Sequence, residues 1–183
     1  MGRGAGNKES GTQSGIRMSA APSVIEVDEN ARVDEDGFVC VHDSITLPPR
    51  RGTRLHLKVN GRHVSVIRGR GGKLYCVDSV CYHAGGPLTA GNIEDVAGRE
   101  CVVCPWHSYK LDLSTGEGLY TDLNYKIASK GKRQRTHDVQ QRGDGRIYVR
   151  LNLTEPDSLP SDEYAYGKQF APAATPINET SAK

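Results

Sequence analysis

Apolar and polar side chains alternate through the middle of the chain. Leu55, Leu57 and Val59 alternate with His56 and Lys58, and after Asn60-Gly61 the positions Val64, Val66 and Arg68 alternate with His63, Ser65 and Ile67. A period of two sends successive side chains to opposite faces of a strand, and Asn-Gly supplies the positive φ angles of a type I′ turn. Residues 55–68 therefore predict a β-hairpin. A second hairpin is predicted where Arg135 to Gln140 and Arg146 to Leu153 flank Gly143-Asp144-Gly145. Leu74-Tyr75-Cys76-Val77 and Glu100-Cys101-Val102-Val103 read as strands, and Phe38 to Val41 after Gly37 as the start of order. Gly91 to Asp95 predicts a short strand and Lys110 to Leu113 another, with turns at Pro48 to Gly52, Gly69 to Gly72 and Ser114 to Gly118. No helical period occurs anywhere. The expectation is an all-β fold of antiparallel sheets.

The ends of the chain read differently. Residues 1–35 are rich in Gly, Ser, Asn and Lys and then turn acidic from Glu26 to Asp36, a composition that predicts a disordered arm. From Glu155 onward, Pro156, Pro160, Pro172 and Pro176 interrupt any period, so residues 155–183 read as an extended tail. Tyr164, Tyr166 and Phe170 leave open that this tail packs back on the sheet. One domain, residues 36–154, is expected between the two.

Composition narrows the function classes. The 183 residues are 36% hydrophobic with 21 glycines, and no apolar stretch is long enough to span a bilayer. The N-terminus has no basic-then-apolar leader, so the expected address is cytoplasmic, with no membrane partner. A formal net charge of +2 gives no reason to expect nucleic acid, and Arg50, Arg51, Arg54, Arg62, Arg68 and Arg70 read as a solvated face. Without a secretory signal, Cys40, Cys76 and Cys101 read as free thiols in strand-like runs, and the sequons at Asn152 and Asn178 as chance matches.

Candidate chemistry is concentrated in Cys81-Tyr82-His83 and Cys104-Pro105-Trp106-His107. Each segment follows one of the two strand-like runs and offers one thiolate and one imidazole. Such a donor set can close a tetrahedral zinc site, with two sulfurs and two nitrogens. It can also hold iron and sulfide. His42, His56, His63 and His137 have no second donor nearby in sequence and read as sheet-surface residues.

The flanks favour iron. His83-Ala84-Gly85-Gly86-Pro87-Leu88 and His107 followed by Ser108 to Glu117 resemble the Rieske iron-sulfur family over roughly Phe38 to Leu153. Ile93-Glu94-Asp95, Thr115 to Tyr120 and the stretch Asp162 to Gly167 are similar to the soluble Rieske-domain proteins of animals. The resemblance implies a Rieske fold, antiparallel sheets with a small cluster-binding subdomain at the tip formed by loops 81–88 and 104–109. It also implies one 2Fe-2S cluster, with Cys81 and Cys104 on one iron and His83 and His107 on the other. Two ferric ions, two sulfides and two thiolates sum to zero charge, so reduction is easier than with four thiolates. Respiratory members carry a disulfide cysteine where this chain has Gly86 and Trp106, and Ser and Tyr where it has Tyr109 and Leu111. The departures point to the ferredoxin and oxygenase branch, with a midpoint on the order of −150 mV.

What the resemblance implies is an electron-transfer protein without a substrate site or catalytic residues of its own. It would carry one electron between a reductase and an acceptor such as an oxygenase. Two other classes stay open at this point, a Rieske component of an oxygenase or reductase complex and a structural zinc module. An oxygenase would need a further iron site of two histidines and a carboxylate, and no histidine follows His137.

Overall fold

A computed structural model of the chain describes residues 25–27, 33–42 and 47–166. These residues form the strands β1 (Ile25–Val27), β2 (Val39–His42), β3 (Arg54–Val59), β4 (Arg62–Arg68), β5 (Leu74–Asp78), β6 (Asn92–Val96), β7 (Arg99–Val103), β8 (Lys110–Asp112), β9 (Glu117–Thr121), β10 (Ile127–Lys132), β11 (Thr136–Gln141) and β12 (Ile147–Arg150). Among the described residues the helical pieces are short 3-10 turns, none long and apolar enough to cross a membrane. A seven-stranded sheet has the order β1-β3-β4-β5-β11-β12-β2, and a five-stranded sheet the order β10-β9-β8-β7-β6. The all-β expectation holds.

The first hairpin closes as Asn60-Gly61 predicts. Both residues have positive φ, 48° and 77°, and Val59 pairs with Arg62. Alternation then does more than divide core from solvent, because β4 and β5 are covered on both faces. Val66 and Cys76 join Leu57, Val59, Val64, Ile147 and Val149 in a core supplied by the large sheet and Leu47. Their neighbours Ile67 and Val77 enter a second core with Leu88, Val102, Leu111 and Leu113, to which both sheets contribute. Cys81 and Cys104 belong to this second core. Replacing fully buried Leu57 by Ala should cost about 2–5 kcal/mol, the lost transfer energy plus the cavity.

Several expectations change. Ile25–Val27, read as part of the arm, is an edge strand parallel to β3, with Ile25 opposite Leu57 and Lys58 Nζ 3.0 Å from Glu26 Oε1. Acidic neighbours concealed a three-residue strand; residues 1–24 and 28–32 lie outside the described residues. β9 and β10 were not anticipated either, since β10 is largely exposed and shows no alternation. The tail does not separate at residue 155. Leu159, Ser161 and Ala165 are buried, and the Ala165 carbonyl accepts from His63 N at 2.9 Å; Phe170 lies outside the described residues.

The solvated-arginine reading fails at two positions. Arg62 is only 2% exposed and Arg68 7%. Arg62 donates Nε and Nη2 to the two carboxylate oxygens of Asp78, both at 2.7 Å, and Arg68 donates to the carbonyls of Leu47 and Gly72. His56 and His137 are likewise buried, not on the sheet surface, and the His42 side chain lies outside the described residues. Burial, aided by the neighbouring His63, pushes His56 down to about 4. None of the five cysteines is in a disulfide; Cys40 is half-buried and the others are buried.

Candidate metal centre

The two Cys/His segments occupy equivalent loops. One leaves β5, and its ends meet as a bridge between Val80 and Pro87; the other joins β7 to β8, with Val103 opposite Lys110. Each pair encloses six residues, 81–86 and 104–109. Within them the backbone repeats one pattern. Cys81 N donates to Gly86 O at 2.8 Å and Cys104 N to Tyr109 O at 2.8 Å, while Gly85 N donates to Cys81 O at 3.0 Å and Ser108 N to Cys104 O at 2.9 Å. The fourth residue after each cysteine is left-handed, Gly85 at φ 75° and Ser108 at 55°. Glycine adopts that conformation freely, whereas serine is strained there.

This shared frame sorts the four side chains by depth. Cys81 and Cys104 are 1% and 2% exposed and lie beside each other, and burial pushes the Cys81 thiol up. His83 and His107 are exposed, with ring centroids 4.9 Å apart and planes at 89°. The thiols are therefore paired inside and the imidazoles paired at the surface. Among the described residues, no three His, Cys, Asp or Glu side chains gather as a cage for a single ion. The ground beside Cys104 is kept clear of side chain: a Cβ on Gly86 would stand 2.7 Å from Cys104 Sγ and 3.2 Å from the Trp106 ring. Two thiolates, two imidazoles and a glycine backbone drawn close to one sulfur fit an iron-sulfur group.

The soluble Rieske-type ferredoxin profile matches residues 39–154, from β2 to just past β12. The chain belongs to that family. It is similar to the Rieske domain-containing protein of Homo sapiens, 46% identical over 125 residues that cover 64% of this chain and 78% of the human one. It is also similar to cholesterol 7-desaturase nvd 1 of Ciona intestinalis, 31% identical over 98 residues, 54% of this chain but only 19% of the desaturase. Among solved structures, the ferredoxin of carbazole 1,9a-dioxygenase from Nocardioides aromaticivorans IC177 matches at 27% identity and a TM-score of 0.43, covering 56% of this chain and 88% of that one.

Around these Rieske loops stand residues that the sequence did not mark. Buried Gln134 donates to the carbonyls of Val80 at 2.7 Å and Asp78 at 3.2 Å and accepts from Tyr82 N at 3.0 Å, bracing the first loop from behind. Arg54 Nη1 gathers the carbonyls of Leu88, Thr89 and Gly91 at 3.1, 2.9 and 2.8 Å, fixing the chain just after that loop. Behind both lies an ion network. Asp78 accepts from Arg62, Ser161 Oγ and His137 Nε2, and Asp162 bridges Arg62 and Arg135. Burial would raise the Asp162 carboxyl, but hydrogen bonds from Arg135 and Arg62 outweigh it and hold it well below the usual carboxylate range. The Tyr82 hydroxyl is buried with no partner among the described residues, against Gly118, and burial pushes it up to about 12. No local period could reveal Gln134, because its partners lie more than fifty residues away.

Proposed function

We propose that this protein is a one-electron carrier whose 2Fe-2S cluster is held by Cys81 and Cys104 on one iron and His83 and His107 on the other. The observation that carries the reading is the sorting of the paired loops, with two thiols buried side by side and two imidazoles exposed side by side. When bound, such a cluster takes up and releases one electron without a substrate. The protein's own residues supply burial on the thiol side, which excludes water, and an open face at His83 and His107 where a redox partner can approach. Separate thiol and imidazole pairs suit two metal ions better than one tetrahedral zinc.

The partners are other redox proteins, a reductase and an acceptor such as an oxygenase, and the proposed address is cytoplasmic. Protein purified without oxygen should be coloured, contain about two irons and two sulfides per chain, and give an electron paramagnetic resonance signal once reduced. Colourless protein with one zinc per chain would overturn the reading in favour of a structural module.

A further inference from the structure

β10 does not run straight. Ser129 pairs with Leu119 and Lys132 with Glu117, so β10 advances three residues while β9 advances two. The extra residue makes a bulge at Lys130-Gly131, with Gly131 at φ 76°. Side-chain bonds fix it: Gly131 N donates to Ser129 Oγ at 3.0 Å, Ser129 Oγ donates to Glu117 Oε2 at 3.0 Å, and Arg133 Nε donates to Lys130 O at 3.0 Å. A bulge of this kind re-aims a side chain. Lys130 Nζ stands 4.6 Å from the centre of the Tyr109 ring and 5.6 Å from that of Tyr120. Tyr109 in turn lies flat on His83, with centroids 4.0 Å apart and planes at 14°.

Among the described residues no ion pair cancels the charge on Lys130, and Glu117, which accepts from Ser129 in the bulge, already holds Arg99 at 2.7 Å. A cation is thus pinned one aromatic ring away from an exposed imidazole. Uptake of one electron adds one negative charge, and a fixed cation stabilises that charge more than the state before it. The Tyr109 ring strengthens the effect in two ways. It holds the ammonium by its electron-rich face, and it occupies space where water would screen the interaction.

Building on the electron-carrier reading, we propose that the Lys130–Tyr109–His83 stack sets the reduction potential of this protein, with Lys130 raising it. Lys130 and Tyr109 are positioning residues here, since neither is a ligand. The test is an anaerobic redox titration of the intact, iron-loaded chain, followed by visible and electron paramagnetic resonance spectra. Lys130→Met should weaken the reduction equilibrium about threefold, a fall of about 30 mV at 59 mV per tenfold change, and Lys130→Glu about twice as much. Lys126→Met, on the exposed turn before β10, should leave the midpoint in place. Tyr109→Phe keeps the ring and should keep the Lys130 effect. In a Tyr109→Ala background, Lys130→Met should produce less than half the shift. Raising the salt should shrink the shift, because the Debye length shortens from about 10 Å at 0.1 M to about 3 Å at 1 M.

An unchanged midpoint in Lys130→Met, with the resonance spectrum intact, would overturn the proposal. An equal Lys130 shift with and without the Tyr109 ring would overturn the role of the stack. Absence of any iron-sulfur spectrum in the parent protein would instead overturn the electron-carrier reading, and the proposal with it.

Discussion

The loops at residues 81–86 and 104–109 have the same length, the same pair of backbone hydrogen bonds and a left-handed residue at the same position, yet they are held in different ways. The second is a tight connection between two strands that pair right up to it, and its Pro105, Trp106, His107 and Ser108 face solvent. The first is held from behind by Gln134, Arg54 and the buried Asp78 network. One frame is fixed by a strand ladder and the other by buried polar side chains. A ladder spreads its strength over many backbone bonds, whereas a polar brace concentrates it in a few groups whose loss leaves buried partners unsatisfied.

The largest expected effects treat the loops alike. Cys81→Ser and His107→Ala should each abolish the iron-sulfur spectrum, while Cys40→Ser should keep it; iron bound at the parent level in Cys81→Ser would end the assignment. The next effect separates them. Asp78→Ala leaves buried Arg62 with Asp162 alone and takes the acceptor from His137 and Ser161, and should cost about 3–5 kcal/mol in denaturant unfolding.

Acid should act in two stages. His56 has a folded value of about 4, below its usual 6.5, so the unfolded chain binds its proton first. Its contribution is complete above about pH 6.5 and is lost as pH falls toward 4, in total about 3 kcal/mol. His56→Gln should flatten that slope. Asp162, depressed by its arginines, keeps its contribution above the usual carboxylate value and loses it only at lower pH, loosening the brace of the first loop last.

Smaller effects sharpen the contrast. Gln134→Ala should cost about 1–3 kcal/mol and speed hydrogen exchange at the Tyr82 amide, leaving Ser108 unchanged. Equal acceleration in both loops would mean that the brace is shared. Least of all, Gly85→Ala should cost about 1–2 kcal/mol at its positive φ, whereas Ser108→Gly should stay within about 0.5 kcal/mol, as relief of strain offsets a more flexible unfolded chain.

Much of this was legible in the sequence wherever a structure is made from neighbours. Asn60-Gly61 announces its turn, Leu55 to Val59 their strand, and the two Cys/His segments their donor types, because each signal fits within a few residues. β1 was hidden because three residues carry too little pattern, and β10 because an exposed edge needs no alternation. Arg62 and Arg68 looked solvated for another reason. An arginine is buried only if distant groups satisfy it, and Asp78, Asp162 and Gln141 are not its neighbours in the chain. The Cys/His segments stand out in the sequence, but their division into a buried pair and an exposed pair required the fold.

The Asp162 bridge also imposes an order on synthesis. Made from its N-terminus, the chain completes Cys81, His83, Cys104 and His107 while Arg135 still awaits the carboxylate that will meet it. Until residues 159–165 have left the ribosome, Arg135 has no counter-ion to carry it into the core, and the backing of the first loop stays open. The backing of the first loop therefore closes only after both Cys/His segments have been made.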